Sequence, residues 1–453
     1  MFYIKIIRLV CSKYGFLGLR DFIIKSLAIR IKIFFNSILY FFKCSYSQDV
    51  INIDKTKKLF DYDQKKKIEE NNDKNLFNNF KILGINIDKF FHLENKELWI
   101  EKNINFSNKE YCRNIYKKIF NDSNSPSNTK LVKWNYDPKN IYYWSSKKNS
   151  LFINIDFNKK KDVKFPWEIS RLQHLNVSAL KIKKQKNKNK KKISFATLKN
   201  YIFDFIVSNP PGFGVNWKSP MEVAIRGANL CVVADILETE NILGTAENRI
   251  LLNSIQDHIY FVKNNLEWSY LNTSNHYLAN IVGLIVMSYF LPRSDLNQKI
   301  LAFACNQLLN EIDNQFHEDG GNKEGSTAYH IFSNEMILIG LHFYSKIENY
   351  EKNLNYVSLF SFFNKFSSIT KYSKKVDKKY EKKIFRKLKK INYFSSKCIR
   401  NNETLLQVGD NDSGCFFPFD YENFCGEKKY LHKNLSNENK SNPFFSLINK
   451  KHL

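Results

Sequence analysis

Paired cysteines, long apolar runs, proline and glycine are all scarce in this chain. Its 8 cysteines (Cys11, Cys44, Cys112, Cys231, Cys305, Cys398, Cys415 and Cys425) form no C-x-x-C pair, which argues against a zinc site and against a disulfide-stapled scaffold. Cys231 and Cys305 fall inside apolar helical patterns, where a thiol serves as a small core side chain. A membrane span needs about 20 apolar residues; the longest late stretch, Leu278 to Leu291, is shorter and carries Asn280, so no transmembrane helix is expected. No zinc-finger, RRM or KH signature occurs, and no fixed repeat period supports an open solenoid. The chain has 15 Gly and 9 Pro in 453 residues and uses Lys, Asn and Ile heavily, the composition of an AT-rich genome.

What is present bounds the rest. A hydrophobic fraction of 43%, with 39 Phe and 24 Tyr, is enough for a packed interior in one large domain or two ordinary ones. The net charge of +27 reflects either an anionic partner or codon drift toward Lys, and it does not choose among nucleic acid, an anionic membrane and an acidic polymer. The N-terminus, from Met1 to Lys43, mixes apolar and basic residues. It fits an amphipathic segment lying on a membrane or on the protein's own core better than a cleavable signal peptide.

Residues 45–90 are polar and charged, a connecting region, and the basic run Lys181 to Lys192 reads as a solvated loop between helices. Between 194 and 346 the chain is strongly helical. Ser219-Pro220-Met221-Glu222 starts a helix, with Ser219 as cap, Pro220 at the first position and Glu222 placed to close a capping box. Further helices are expected over 244–266, 274–291, 296–316 and 326–346. Short connections make neighbours antiparallel, so the fold class is mainly α, an (α/α) toroid of helix hairpins with little or no C-terminal β-sandwich. Leu405 to Gly414 reads as a short strand running into an acidic turn that lacks the spacing of a calcium loop. The expected divisions are an N-terminal segment and linker over 1–90, the toroid over 91–395, and a strand with a polar tail over 396–453.

Four separated groups carry chemistry: Phe165-Pro-Trp-Glu-Ile-Ser-Arg171, Asn216-Trp-Lys-Ser-Pro-Met-Glu-Val-Ala-Ile-Arg226, Ser274-Asn-His276 and Asp319-Gly-Gly-Asn-Lys-Glu-Gly-Ser-Thr-Ala-Tyr-His330. The last is a glycine-rich turn that delivers a tyrosine and a histidine to a helix start. Tyr329 is either a proton-transfer phenol, which needs help because an ordinary tyrosine titrates near ~10, or a packing residue. Ser274 and Asn275 equally suit a helix N-terminus. His276 and His330 either tune the tyrosine and bind substrate or are structural. Glu324 and Asp319 either orient Tyr329 or cap the next helix. Glu222 and Arg226, four apart on one helix, are expected to face each other; alternatively Arg226 meets an anionic sugar with Glu222 holding its guanidinium flat. Glu168 and Arg171 present the same choice, with Trp167 as a stacking platform.

In order and spacing, these groups resemble the helical N-terminal part of the heparinase II/III family of polysaccharide lyases, over about residues 160–415. That resemblance implies β-elimination at a uronic acid: a donor neutralises the sugar carboxylate, a base takes the C5 proton, and an acid protonates the departing oxygen. It implies Asn275 as the carboxylate neutraliser, Tyr329 as base and acid, and His330 beside them as catalytic. Trp167, Glu168, Arg171, Trp217, Glu222, Arg226, His276 and Glu324 are the implied substrate-binding set. No metal and no cofactor is expected, and the partner is an acidic polysaccharide rather than nucleic acid. Family enzymes add a β-sandwich with another site histidine, so a separately encoded β-sandwich subunit is one expectation. A non-catalytic polysaccharide-binding relic is another, and a basic nucleic-acid or membrane-surface binder a third. The resemblance places the protein in the periplasm or cell envelope, while the N-terminus leaves the cytoplasm open.

Overall fold

The structure is a computed structural model that describes residues 56–60, 80–91, 131–156, 160–269, 273–347, 378–400, 404–411 and 414–418, with Ser12, Arg20 and Ile23. The expected N-terminal amphipathic segment and the polar tail lie outside the described residues.

The helices form where caps and apolar spacing direct them. They are α1 (Lys164–Ser170), α2 (Gln173–Lys183), α3 (Lys188–Ser208), α4 (Pro220–Thr239), α5 (Thr245–Asn264), α6 (Asn275–Phe290), α7 (Asp295–Gln315), α8 (Thr327–Lys346) and α9 (Lys378–Lys397). The hydroxyls of Ser219, Ser274, Ser294 and Ser326 accept from backbone N–H groups in the first turns of α4, α6, α7 and α8, which satisfies donors a helix start otherwise leaves unpaired. Among the described residues there are also three 3-10 turns (Ile87–Phe90, Ser150–Phe152 and Val215–Trp217) and two antiparallel ribbons, β1 (Lys81–Ile82) with β2 (Ile85–Asn86), and β3 (Tyr136–Asp137) with β4 (Tyr142–Tyr143).

Alternate helices pack in a row, α2 on α4, α4 on α6 and α6 on α8. The others lie outside it: α3 on α2, α5 on α4 and α6, α7 on α6 and α8, and α9 on α7 and α8. Helices α4 and α6 are buried almost all round, as an inner layer requires. Gly283 brings them close, since a Cβ there would stand 2.8 Å from the Ala224 Cβ.

The direction of the row follows from its far end. Leu59 N–H donates to Asp235 of α4 at 2.8 Å, Lys57 N–H to the Phe290 carbonyl of α6 at 3.0 Å, and Lys346 of α8 to the Leu59 carbonyl at 2.8 Å. The C-terminal ends of α4, α6 and α8 therefore meet at residues 56–60, and their N-terminal ends gather at the opposite end.

Several expectations change. Residues 56–60 and 80–91 are more than a connecting region, because Leu59, Phe60, Phe80, Ile82, Ile87, Phe90 and Phe91 join the main core. The basic run 181–192 is largely helical, with only 184–187 between α2 and α3; lysine is a good helix former, and Asn187 caps Lys190 N–H at 3.0 Å. Leu405 makes one bridge to Ile399 rather than a strand. Among the described residues no helix is long and apolar enough to cross a membrane.

Candidate functional site

The N-terminal ends of α4, α6 and α8 carry Glu222, Asn275 with His276, and Tyr329. The glycine turn before α8 links two of them. Asp319 closes the turn on itself by accepting from Gly321 N–H at 2.9 Å, and Asn322 accepts from Glu324 N–H at 2.8 Å. Gly320 has φ +97°, and a Cβ there would lie 2.4 Å from the Lys390 carbonyl of α9, so no other residue fits. The turn aims Glu324 across to α6. Its two carboxylate oxygens accept from Asn275 N–H at 2.6 Å and Asn275 Nδ2–H at 2.7 Å. Neither Glu324 nor Asp319 caps α8: Ser326 does, accepting from Tyr329 N–H at 3.2 Å. Asn275 is buried, while Tyr329 and Glu324 are half-buried.

His276 projects from the same turn as Asn275 and is 48% exposed at its side chain. Its Nδ1 meets Glu267 Oε1 at 3.0 Å. Desolvation pulls its pKa down, but the hydrogen bond and charge of Glu267, then the charges of Glu222 and Glu324, leave it raised. Glu222 and Glu324 therefore lie near enough to His276 for their charges to act on it.

Arg171 closes the group from α1. It grips Glu222 with two hydrogen bonds, Nε to Oε2 at 2.6 Å and Nη2 to Oε1 at 2.8 Å, and reaches Glu168 with Nη1 at 2.6 Å. Burial opposes its charge, yet the two carboxylates more than offset that and raise its pKa. Leu172, directly after it, is fully buried with φ 58°. That left-handed conformation is costly for a leucine and breaks α1 from α2 at the residue that sets Arg171.

Some residues are placed differently from the sequence expectation. Glu222 pairs with Arg171 instead of Arg226 and does not close a capping box. Arg226 is 0% exposed. It donates to His258 Nε2 at 2.9 Å and to the Asn216 carbonyl at 3.0 Å, and its guanidinium lies 4.9 Å from the Phe205 ring and 5.0 Å from the Trp217 ring. Burial lowers its pKa to about 9. Trp217, 1% exposed, donates Nε1–H to the Asn209 carbonyl at 3.0 Å. Both are sealed from any sugar and instead fasten the turn Val215–Trp217 under α4. Trp167 is half-buried, with Nε1–H on the Val215 carbonyl at 2.9 Å.

His330 turns away from the site. Its ring is 1% exposed between Phe316 and Phe394, with Nε2 at 2.8 Å from Ser395 Oγ of α9, and burial lowers its pKa to about 4. Among the described residues no group of acidic, histidine or cysteine side chains is arranged to hold a metal ion.

The Heparinase II/III N-terminus family matches residues 53–391. The chain belongs to this family. No curated protein and no solved structure matches it. The heparinase II/III match begins well before the four motifs, at the segment that gathers the C-terminal ends of α4, α6 and α8. Sequence reasoning missed Glu267 and His258. Glu267 sits in an irregular stretch before α6, with no local pattern to mark it, and its contact with His276 exists only once α6 is docked. His258 was one polar residue in an amphipathic helix.

Proposed function

We propose that this protein is a polysaccharide lyase that cleaves uronic-acid-containing chains by β-elimination, in the cell envelope or periplasm. The observation that carries this reading is the double hydrogen bond from Asn275 to Glu324, which joins the start of α6 to the turn that delivers Tyr329. Glu324 occupies one Nδ2–H of Asn275 and fixes the amide, leaving the second N–H for a sugar carboxylate. His276, whose pKa the neighbouring carboxylates raise, adds a second donor at the same place. Together they neutralise the carboxylate, so that negative charge developing at C5 spreads into it.

Tyr329 then takes the C5 proton. The C5–H electron pair becomes the C4=C5 double bond, the C4–O4 bond breaks, and the proton passes to the departing O4. Three helix N-terminal ends facing this space add partial positive charge that favours both the substrate carboxylate and a phenolate. Arg171 holds Glu168 and Glu222 by hydrogen bonds, which limits their repulsion of an anionic chain. His330 has a positioning role, locking the first turn of α8 onto α9. We also read the row of inner and outer helices as part of an (α/α) toroid over about 91–395, with a second unit beginning near 396.

The test is release of unsaturated uronate absorbance from polyuronates and sulfated glycosaminoglycans. Tyr329→Phe should lower turnover by about 10²-fold or more, and Asn275→Ala by about 10²- to 10³-fold. Turnover unaffected by both changes would overturn the assignment. Polysaccharide binding by the wild type with no turnover would favour a non-catalytic binder.

A further inference from the structure

The β3–β4 ribbon has two aromatic faces with different surroundings. Tyr142 and Trp144 point inward, where Trp144 joins Ile153, Val163 and Val215 in a small core of its own and Tyr142 packs against it. Lys161 Nζ sits 5.1 Å from the Tyr142 ring and 5.2 Å from the Trp144 ring. This face fixes the ribbon to the segment that feeds α4. The outward face is unlike it. Tyr136 and Tyr143 are direct cross-strand partners, their ring centroids are 4.6 Å apart, and Lys133 Nζ lies 5.0 Å from the Tyr136 ring. Tyr143 is 50% exposed.

The ribbon is held rigidly in this presentation. Buried Asp137 accepts from Lys139 N–H at 3.0 Å, Asn140 N–H at 3.2 Å, Asn140 Nδ2–H at 2.7 Å and Asp162 N–H at 2.6 Å. At its tip, Ile141 has φ 52° and is 79% exposed. A β-branched residue in that conformation is strained, so the tip is held by the hydrogen bonds that Asp137 accepts. Lys139, Lys147 and Lys148 are exposed nearby, and the one acidic residue among 131–153 is the internally used Asp137.

We propose that this outward face is a secondary subsite for the acidic polysaccharide. The C–H face of a pyranose ring lies on Tyr143, stacked against Tyr136, and its carboxylate meets the Lys133 ammonium. Aromatic rings suit the apolar face of a sugar. An ammonium over the Tyr136 ring, beside Tyr143, selects units that carry a carboxylate, which favours a uronate chain over a neutral glycan or an apolar protein surface. The proposal rests on the reading of the substrate as an acidic polysaccharide, but it concerns binding rather than bond cleavage. The ribbon packs on α1, away from the helix starts that carry Asn275 and Tyr329, so in this proposal it engages long chains and is bypassed by short ones.

The experiment is affinity electrophoresis of the full chain in gels containing alginate, polygalacturonate or heparin, with dextran as neutral control, alongside turnover of long and tetrasaccharide substrates. Tyr143→Ala and Lys133→Ala should each weaken retardation in at least one acidic gel by about five- to tenfold, and Tyr143→Phe should restore it. KM should rise for long chains, with kcat and tetrasaccharide turnover unchanged. Unaltered retardation in Tyr143→Ala and Lys133→Ala, with normal turnover, would overturn the subsite while leaving the lyase reading intact. Loss equal in acidic gels and dextran would overturn the uronate selectivity. Tyr143-dependent retardation without turnover would support the subsite and count against the lyase reading. No retardation of the wild type in any acidic gel would overturn the subsite outright.

Discussion

Glu324 shows how one side chain organises a site by a contact other than those expected of it. Its position before Ser326 suggested a cap, yet Ser326 performs that task and the carboxylate is directed to Asn275 and, through space, to His276. Replacing it with Gln leaves the shape and removes the charge. An amide cannot accept from both Asn275 donors with both of its heavy atoms, so the Asn275 side chain loosens. Glu324→Gln should lower kcat by about 10- to 10²-fold, the scale on which small misplacements act. Because the Glu324 charge helps raise the His276 pKa, the same change should move the His276 limb of the pH–rate profile to lower pH. A lowered kcat with that limb unmoved would mean that Glu324 acts on Asn275 alone.

Elements carry the precision that the residues need. Helices α4 and α6 place Glu222 and Asn275 in the same space because their backbones approach at Gly283. Gly283→Ala would drive a methyl into Ala224. It should destabilise the fold by about 1–3 kcal/mol, seen as a lower denaturation midpoint, and should reduce activity by splaying the two helix starts. An unchanged midpoint would show that the helices separate without cost. The segment 404–411 acts similarly on α8. Thr327 N–H donates to the Val408 carbonyl at 3.0 Å, and Ser326 Oγ donates to the Asp410 carbonyl, so the turn before Tyr329 is clamped by this segment as well as by Glu324.

At the scale of the whole molecule, residues 414–418 tie the inner row together. Glu335 of α8 accepts from Phe416 N–H at 3.2 Å and Phe417 N–H at 3.1 Å, while the Phe416 carbonyl accepts from Asn229 of α4 at 3.0 Å and Gln173 of α2 at 3.4 Å. Burial raises the Glu335 pKa from 4.5 to about 7. Between those values the folded chain binds a proton that the unfolded chain has released, so this group's contribution to stability falls as pH rises from 4.5 to about 7. Buried His330 and His342, both lowered to about 4, act in the opposite sense and lose stability as pH falls below the ordinary histidine value. The comparison with Glu335→Gln isolates the carboxyl: the variant should gain on the wild type by up to about 3 kcal/mol between pH 4.5 and pH 7. A constant difference across that range would mean that the carboxylate is not desolvated.

The sequence by itself determined the five helices α4 to α8 and the family. Serine caps and apolar spacing are local signals, and α4 through α8 lie within two residues of the expected bounds. It also brought Asn275, His276, Glu324 and Tyr329 forward as candidates, because each belongs to a motif readable in a few consecutive residues. What only the tertiary structure decided is which charges meet. In the sequence Arg226 is the expected partner of Glu222, and Arg171 that of Glu168. Helix periodicity favours Arg226, four residues away, but a buried carboxylate goes to the guanidinium that can grip both its oxygens, and Arg171 does so from 51 residues away. Burial likewise separated adjacent residues: Tyr329 and His330 are neighbours in the chain, yet successive positions on a helix face different ways, and the histidine went to the core.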